Sequence, residues 1–259
     1  MDLLLCRSPT YANRCKNAGD TFPLGTTKVD CEATDAAGNK ATDSFDVTVQ
    51  DTTSPTINEG FPTGEEYHVD ATSSSGDTVN YLQLIPGGDS VLTATDLVDG
   101  EVPLECSPAS GTKFPLGLAD VTCTATDAAG NAMNAVFTVY VQYAWSGVLQ
   151  PINADGSSIF KLGSTVPVKF ALVGASAGVK DATVTLTHDK IINDIEGTVM
   201  ENLSTATPTT GDVFRYDAES GQYVFNWGTK DLKSGPGTYG LTINMGDQNF
   251  PAVFISLKK

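Results

Sequence analysis

The chain has 259 residues, too long for one ordinary β-sandwich and enough for two or three domains of roughly 100 residues each. Its 15 Lys and Arg against 31 Asp and Glu leave a formal charge of −16, which repels nucleic acid and anionic lipid because both reward Lys/Arg-rich faces. A hydrophobic content of 40% still fills cores, and two His residues 120 positions apart disfavour His-based metal or acid–base chemistry.

Residues 1–6, M-D-L-L-L-C, lack the basic n-region and apolar stretch of a signal peptide, so an export signal is expected outside this sequence. Phe22–Gln50 and Phe114–Gln142 then match at 17 of 29 positions, at a constant offset of 92 and without a gap. A period that long is a whole domain, so tandem copies of one fold are expected. In the first copy Phe45, Val47 and Val49 alternate with Asp46 and Thr48, and Phe137, Val139 and Val141 repeat the pattern in the second. Period two places each apolar set on one face of a half-buried strand. Ahead of each strand stands A-A-G-N (Ala36–Asn39 and Ala128–Asn131), whose Gly and Asn tolerate positive φ and suit a strand-connecting turn.

Asp51–Ile57, D-T-T-S-P-T-I, reads as a linker stiffened by its proline, and it opens the second copy. The second copy runs for some 60 residues before Phe114, whereas 21 residues precede Phe22, so about 40 residues of early strands are wanting from the first. A sandwich short of one edge exposes unpaired strand groups. A fragment of a longer chain is therefore expected, or a neighbour that donates a strand.

No C-x-x-C pair occurs among the five cysteines, which removes the usual zinc-ribbon and thioredoxin spacings. Cys106 and Cys123 flank the turn-rich S-P-A-S-G-T-K-F-P-L-G, the spacing of a disulfide across a hairpin or adjacent strands. Such a link stabilises by roughly 3 kcal/mol on the chain-entropy argument. It also implies an oxidising compartment.

After Gln142 the repeat does not return. Val166, Val168, Phe170 and Leu172 of V-P-V-K-F-A-L face one way, and Tyr223, Phe225 and Trp227 follow a polar turn at period two. Between them Ile191, Ile195, Val199 and Leu203 recur every four residues, so a short helix is one reading of Lys190–Leu203, weakened by Gly197. The closing V-F-I-S-L-K-K is too short to span a bilayer, and no membrane insertion is expected within the chain.

The F-P-L-G and V-x-C-x-A-T-D-A-A-G-N segments, the closing F-x-V-x-V and the following D-T-T-x-P-x-I resemble the hyalin repeat family. That family consists of immunoglobulin-like modules in extracellular, often adhesive, proteins. The resemblance covers roughly residues 1–142, and Leu92–Gly100, L-T-A-T-D-L-V-D-G, fits the family's mid-domain segment. It implies pairing of Cys106 with Cys123 and, one residue out of step, of Cys15 with Cys31, leaving Cys6 over. Residues 143–259 resemble the PxKF domain, named for the tetrapeptide found here as Pro167–Phe170, which often follows hyalin repeats and has no established activity. The resulting expectation is an all-β chain of tandem immunoglobulin-like β-sandwich modules. Residues 1–50 form a truncated module, 51–142 a complete one, and 143–259 a C-terminal β-sandwich.

No catalytic constellation emerges. His68 in Y-H-V-D and His188 after T-V-T-L-T read as exposed strand-edge residues, and P-loop, dinucleotide, zinc-protease and G-x-S-x-G motifs are absent from the sequence. No cofactor is expected, with calcium the one candidate: Asp35, Asp96 and Asp127 each end an A-T-D tripeptide, and Asp51, Asp99 and Asp120 lie nearby. The competing reading is a plain turn, in which Asp bonds backbone N–H groups and Gly supplies positive φ. Asn202-Leu203-Ser204 is the sole N-glycosylation sequon. Trp145 and Trp227, with Tyr223 and Phe225, form either a sugar-stacking platform or core. The function expected is a non-catalytic adhesive or structural segment at the cell surface or in the extracellular space. Its protein or glycan ligand is unidentified by the sequence. A carbohydrate-binding accessory region of a secreted hydrolase is the alternative, and a strand-donating filament subunit a third.

Overall fold

A computed structural model describes residues 12–15, 21–57, 62–84, 92–246 and 248–259. Cys6 lies outside them. Among the described residues the regular structure is β-strand apart from two short 3-10 helices, Tyr81–Gln83 and Gly174–Gly178, and no helix is long and apolar enough to cross a membrane. The chain divides into two compact units that are not coextensive with the repeats. One comprises Met1–Glu59, Leu92–Leu104 and Thr124–Asn134; the other comprises Gly60–Val91, Glu105–Cys123 and Ala135–Lys259.

In the first unit, strands Ala12–Cys15, Gly25–Thr34 and Lys40–Val49 form an antiparallel sheet in that order, with Cys15 opposite Cys31 and Val29 opposite Phe45. The period-two strand forms as expected, but its apolar face is only partly covered: Phe45 is 43% exposed, and Val47 and Val49 are half-buried. Alternation selects a strand; burying its face needs a second layer. Thr56–Ile57 pairs with Ala94–Asp96, which forms a hairpin with Gly100–Val102. Ala94, Val102 and Ala125 make a small buried core against which Ile57 and Leu104 pack.

Strands Glu66–Asp70, Ala132–Gln142, Gly117–Thr126 and Leu104–Ser107 follow one another in a sheet, the first two parallel; all but Leu104, 124–126 and 132–134 of these residues belong to the second unit, where Asp77–Val79 also pairs with Thr112–Phe114. Here the repeated strand is covered: Phe137, Val139 and Val141 are each no more than 1% exposed. Phe137 meets Tyr81 edge-on at 5.1 Å, and Tyr81 in turn meets Phe114 at 6.3 Å. Cys106 and Cys123 are joined by a disulfide. The exposed His68 sits on the edge strand Glu66–Asp70, where it meets Glu66 Oε1 at 3.0 Å.

Residues from Trp145 onward form two sheets. One has the order Trp145–Val148, Thr165–Leu172, Gln222–Gly228, Arg215–Asp217; the other Val184–Ile192, Gly237–Met245, Gln248–Lys258, Ser158–Lys161, Val199–Met200. Rings from the two sheets meet one another: Trp227 with Tyr239 at 5.7 Å, Trp145 with Phe250 at 4.1 Å, and Trp227 with the exposed His188 at 4.7 Å. Val166, Val168, Phe170 and Leu172 are all buried, as their spacing predicts.

One expectation fails in this region. No helix forms over Lys190–Leu203: strand Val184–Ile192 runs into it, Val199–Met200 pairs with Ser158–Ile159, and Ile191, Ile195, Val199 and Leu203 are all exposed. Gly197 holds φ +110°, and a Cβ there would stand 2.6 Å from the Ser157 carbonyl oxygen, so the chain is pinned against a neighbouring strand. Sheet hydrogen bonds thus override a period-four pattern. In strand Gln222–Gly228 every residue from Tyr223 to Trp227 is buried, in line with the core reading of its aromatics. Thr207 and Thr209 run alongside the strand, Asn226 donating its side-chain amide to the Thr207 carbonyl at 3.1 Å and its backbone amide to Thr209 Oγ1 at 2.9 Å.

The second copy and the C-terminal sheets are joined by a dense junction within the second unit. Tyr143, 3% exposed, donates its amide to Gln248 Oε1 at 2.8 Å and accepts from Gln248 Nε2 at 3.1 Å. Burial pushes the Tyr143 phenol up to about 12, so it stays neutral. The fully buried Ser176 hydroxyl donates to the Ala71 carbonyl at 2.7 Å and accepts the Ala144 amide at 3.1 Å.

Candidate functional site

The A-T-D-A-A-G-N motif folds twice into the same turn. In the first copy the Asp35 amide donates to the Asn39 carbonyl at 3.0 Å, and Asp35 Oδ1 accepts the amides of Ala37 and Asn39 at 2.9 and 2.8 Å. Asn39 Nδ2 donates to Oδ2 at 2.8 Å. The second copy repeats this with Asp127 and Asn131: amide to carbonyl 3.0 Å, Asn131 amide to Oδ1 2.7 Å, Asn131 Nδ2 to Oδ2 2.8 Å. Gly38 and Gly130 take φ +87° and +89°, which a side chain would strain. Both Asp side chains therefore act as the turn's internal acceptor.

What differs is the company each keeps. Asp127 is 7% exposed and stands with Asp51, Asp96 and Asp99, one carboxylate oxygen of each lying within 4.8 Å of the others. All four belong to the first compact unit. Asp51 comes from the linker, where its Oδ1 accepts the Thr53 amide at 3.1 Å and the Thr53 hydroxyl at 2.7 Å. Asp96 ends a hairpin strand, and its Oδ1 accepts the amides of Val98 and Asp99 at 2.7 and 3.0 Å. Asp99 Oδ2 accepts the Ala128 amide at 2.9 Å, and Asn131 Nδ2 donates to the Asp51 carbonyl at 3.3 Å, so linker, hairpin and turn are tied together. Asp35 and Asp120 stand outside this group, Asp120 accepting the Thr138 hydroxyl at 2.9 Å.

Four like charges this close repel, and among the described residues none of the ion pairs, Lys28–Asp30, Lys40–Glu32 and His68–Glu66, relieves them. Two buried side-chain oxygens among the described residues have no hydrogen-bond partner, and both are here: Asp51 Oδ2 and Asp96 Oδ2. An unpaired buried acceptor costs the full desolvation of that group. The amides of Asp99 and Val98 nevertheless hold the Asp96 carboxyl below the usual carboxylate range. The Asn39 side chain and amide do the same for Asp35.

A lowered folded-state value means a stabilising contribution that is whole above the ~3.9 of an unfolded Asp and lost as pH falls through the folded value. Between pH 4 and 2.5 the melting temperature is therefore expected to drop, and Asp35→Asn is expected to make that drop smaller. Differential scanning calorimetry checks this, and an unchanged slope in the variant counts against the turn as its source.

The aromatic platform does not form. Tyr223, Phe225 and Trp227 are core residues no more than 5% exposed, and half-buried Trp145 packs between Phe250 and Phe170 at 4.1 and 6.0 Å. The sequon residue Asn202 is exposed.

The profile of the HYR domain matches residues 9–49 and 50–141. A hyalin of Strongylocentrotus purpuratus is 32% identical over 243 residues, spanning 91% of this chain and 18% of that protein. A hyalin of Lytechinus variegatus is 28% identical over 239 residues, spanning 92% of this chain and 40% of that protein. The chain thus spans less than half the length of these relatives. Among solved structures, Sidekick-1 immunoglobulin domains 1-5 align over 96% of this chain and 52% of theirs, at 11% identity and a TM-score of 0.29.

Proposed function

Since the chain belongs to the HYR family through two adjacent copies of the domain, we propose that it is a mechanical and adhesive segment of an extracellular protein. It is a non-catalytic module built of immunoglobulin-like β-sandwiches and ending in a PxKF-like domain. The Cys106–Cys123 disulfide suits an oxidising compartment. Cys31 is disulfide-bonded and stands opposite Cys15 in the strand register, which supports Cys15 as its partner. Pro167–Phe170 on a buried strand, with facing rings from two sheets, supports the assignment of residues 143–259.

The observation that carries the mechanical reading is the junction after Gln142. A loose tether would leave Tyr143 in water; here it is 3% exposed and clamped by Gln248, with Ser176 bridging Ala71 and Ala144. Such a joint transmits tension between modules without hinging. Pulling the chain between two marker domains should give discrete unfolding events. Reduction should then lengthen the extended second module by about 60 Å, from the 17 residues locked by Cys106–Cys123 at about 3.6 Å each. Featureless extension at low force would refute the mechanical reading.

A further inference from the structure

We propose that Asp51, Asp96, Asp99 and Asp127 form a calcium site that fastens the linker between the two HYR copies to the hairpin and turn of the second copy. This goes beyond the mechanical and adhesive reading and stands or falls separately from it.

The cluster alone would be a poor argument in a chain with 31 acids. The orphaned oxygens supply the better one. Asp96 is 7% exposed; its Oδ1 is spent on two amides, and its Oδ2 is buried with nothing to accept from. Asp51 repeats the arrangement, Oδ1 held by Thr53 and Oδ2 buried without a partner. Folding therefore orients both carboxylates through one oxygen and leaves the other facing neither donor nor solvent. A cation is the partner that satisfies two bare oxygens and offsets the repulsion among four carboxylates together.

The donor set selects the ion. Oxygen donors without His or Cys suit a hard cation rather than zinc or copper. The four ligand atoms all lie within 4.8 Å of one another, close enough to share one ion at Ca²⁺–oxygen bonds of about 2.4 Å. Mg²⁺ demands near-ideal octahedral geometry and gives up its water reluctantly, so a cluster of several carboxylates suits Ca²⁺ better. Exposed Asp99 leaves one side of the site open to water ligands.

The repeat provides an internal control. Asp35 accepts from Asn39 the same amide and side-chain bonds that Asp127 accepts from Asn131, yet the group of four carboxylates forms around Asp127 and does not include Asp35. At the offset of 92 from Asp51 stands Tyr143, so the next junction lacks the linker carboxylate and uses the Tyr143–Gln248 clamp instead. The two joints of the chain thus use different chemistry, one ionic and one made of hydrogen bonds and apolar burial.

The test is titration of the full chain with CaCl₂ by isothermal calorimetry, paired with thermal unfolding in CaCl₂ or EDTA. Stoichiometric binding of one ion is expected, with a Kd in the range of about 10⁻⁵ to 10⁻³ M, weaker response to MgCl₂, and a melting transition raised by calcium. Asp51→Asn and Asp96→Asn should each weaken binding at least tenfold, while Asp35→Asn leaves it unchanged. Asp51→Asn, in the linker, decides the matter if Asp96→Asn disturbs the hairpin by circular dichroism. No heat and no melting shift at millimolar calcium overturns the proposal, as does binding that survives Asp51→Asn intact or that Asp35→Asn abolishes equally.

Discussion

Phe137→Ala is expected to destabilise the second HYR copy by about 3–5 kcal/mol, whereas Phe45→Ala, the same motif position 92 residues earlier, should cost less than about 1 kcal/mol. The sequences around the two phenylalanines are closely alike, so propensity and local pattern give them equal weight. Their surroundings differ: Phe137 is 1% exposed and meets Tyr81 and Tyr67 edge-on at 5.1 and 5.9 Å, while Phe45 is 43% exposed. Truncating the first forfeits transfer energy and leaves a cavity in a close-packed interior; truncating the second removes a ring already half in water. Denaturant unfolding, with hydrogen exchange read separately on strands Lys40–Val49 and Ala132–Gln142, measures both. Equal costs would mean that the face carrying Phe45 is covered after all.

Loss of the Cys106–Cys123 bond is the second large effect. The double variant Cys106→Ala/Cys123→Ala should lower the stability of the second copy by roughly 3 kcal/mol, the loop-closure entropy restored to the unfolded chain. For a domain of this size that corresponds to a fall of about 12–24 °C in its melting temperature. No cysteine follows Cys123, so residues 143–259 lose no cross-link of their own in the variant or on reduction. Calorimetry of the oxidised chain, the reduced chain and the variant separates this from side-chain packing. A small shift in all three would show that the link closes a segment already ordered in the unfolded ensemble.

Much of the architecture was legible in advance because it is local or repeated. The offset of 92 exposed the tandem copies, and period two picked out Phe137–Val141 and Val166–Leu172 as one-faced strands. The A-T-D-A-A-G-N turn was legible for the same reason, since its acceptor, its positive-φ glycine and its closing Asn lie within five residues. The reading failed where long-range packing competes with a local pattern. Period four over Lys190–Leu203 lost to sheet pairing against Ser158–Ile159. The equivalence of Phe45 and Phe137 failed likewise, because burial belongs to the layer opposite and not to the strand.

The acidic cluster divides along the same line. The sequence alone named Asp51, Asp96, Asp99 and Asp127 as calcium candidates, but placed Asp35 and Asp120 beside them with nothing to separate the two sets. Residues 51, 96 and 127 lie tens of positions apart, and no ligand spacing of the EF-hand kind marks them. One sign was present in retrospect: Asp51 gives way to Tyr143 where the repeat recurs. By itself, then, the sequence determined the repeated domain, its turns, the disulfide across adjacent strands and a net charge that repels polyanions, all of which follow from composition and short-range pattern. Only the tertiary structure decided which carboxylates converge and which oxygens are left buried and bare, because that depends on a linker, a hairpin and a turn being brought to one place by folding.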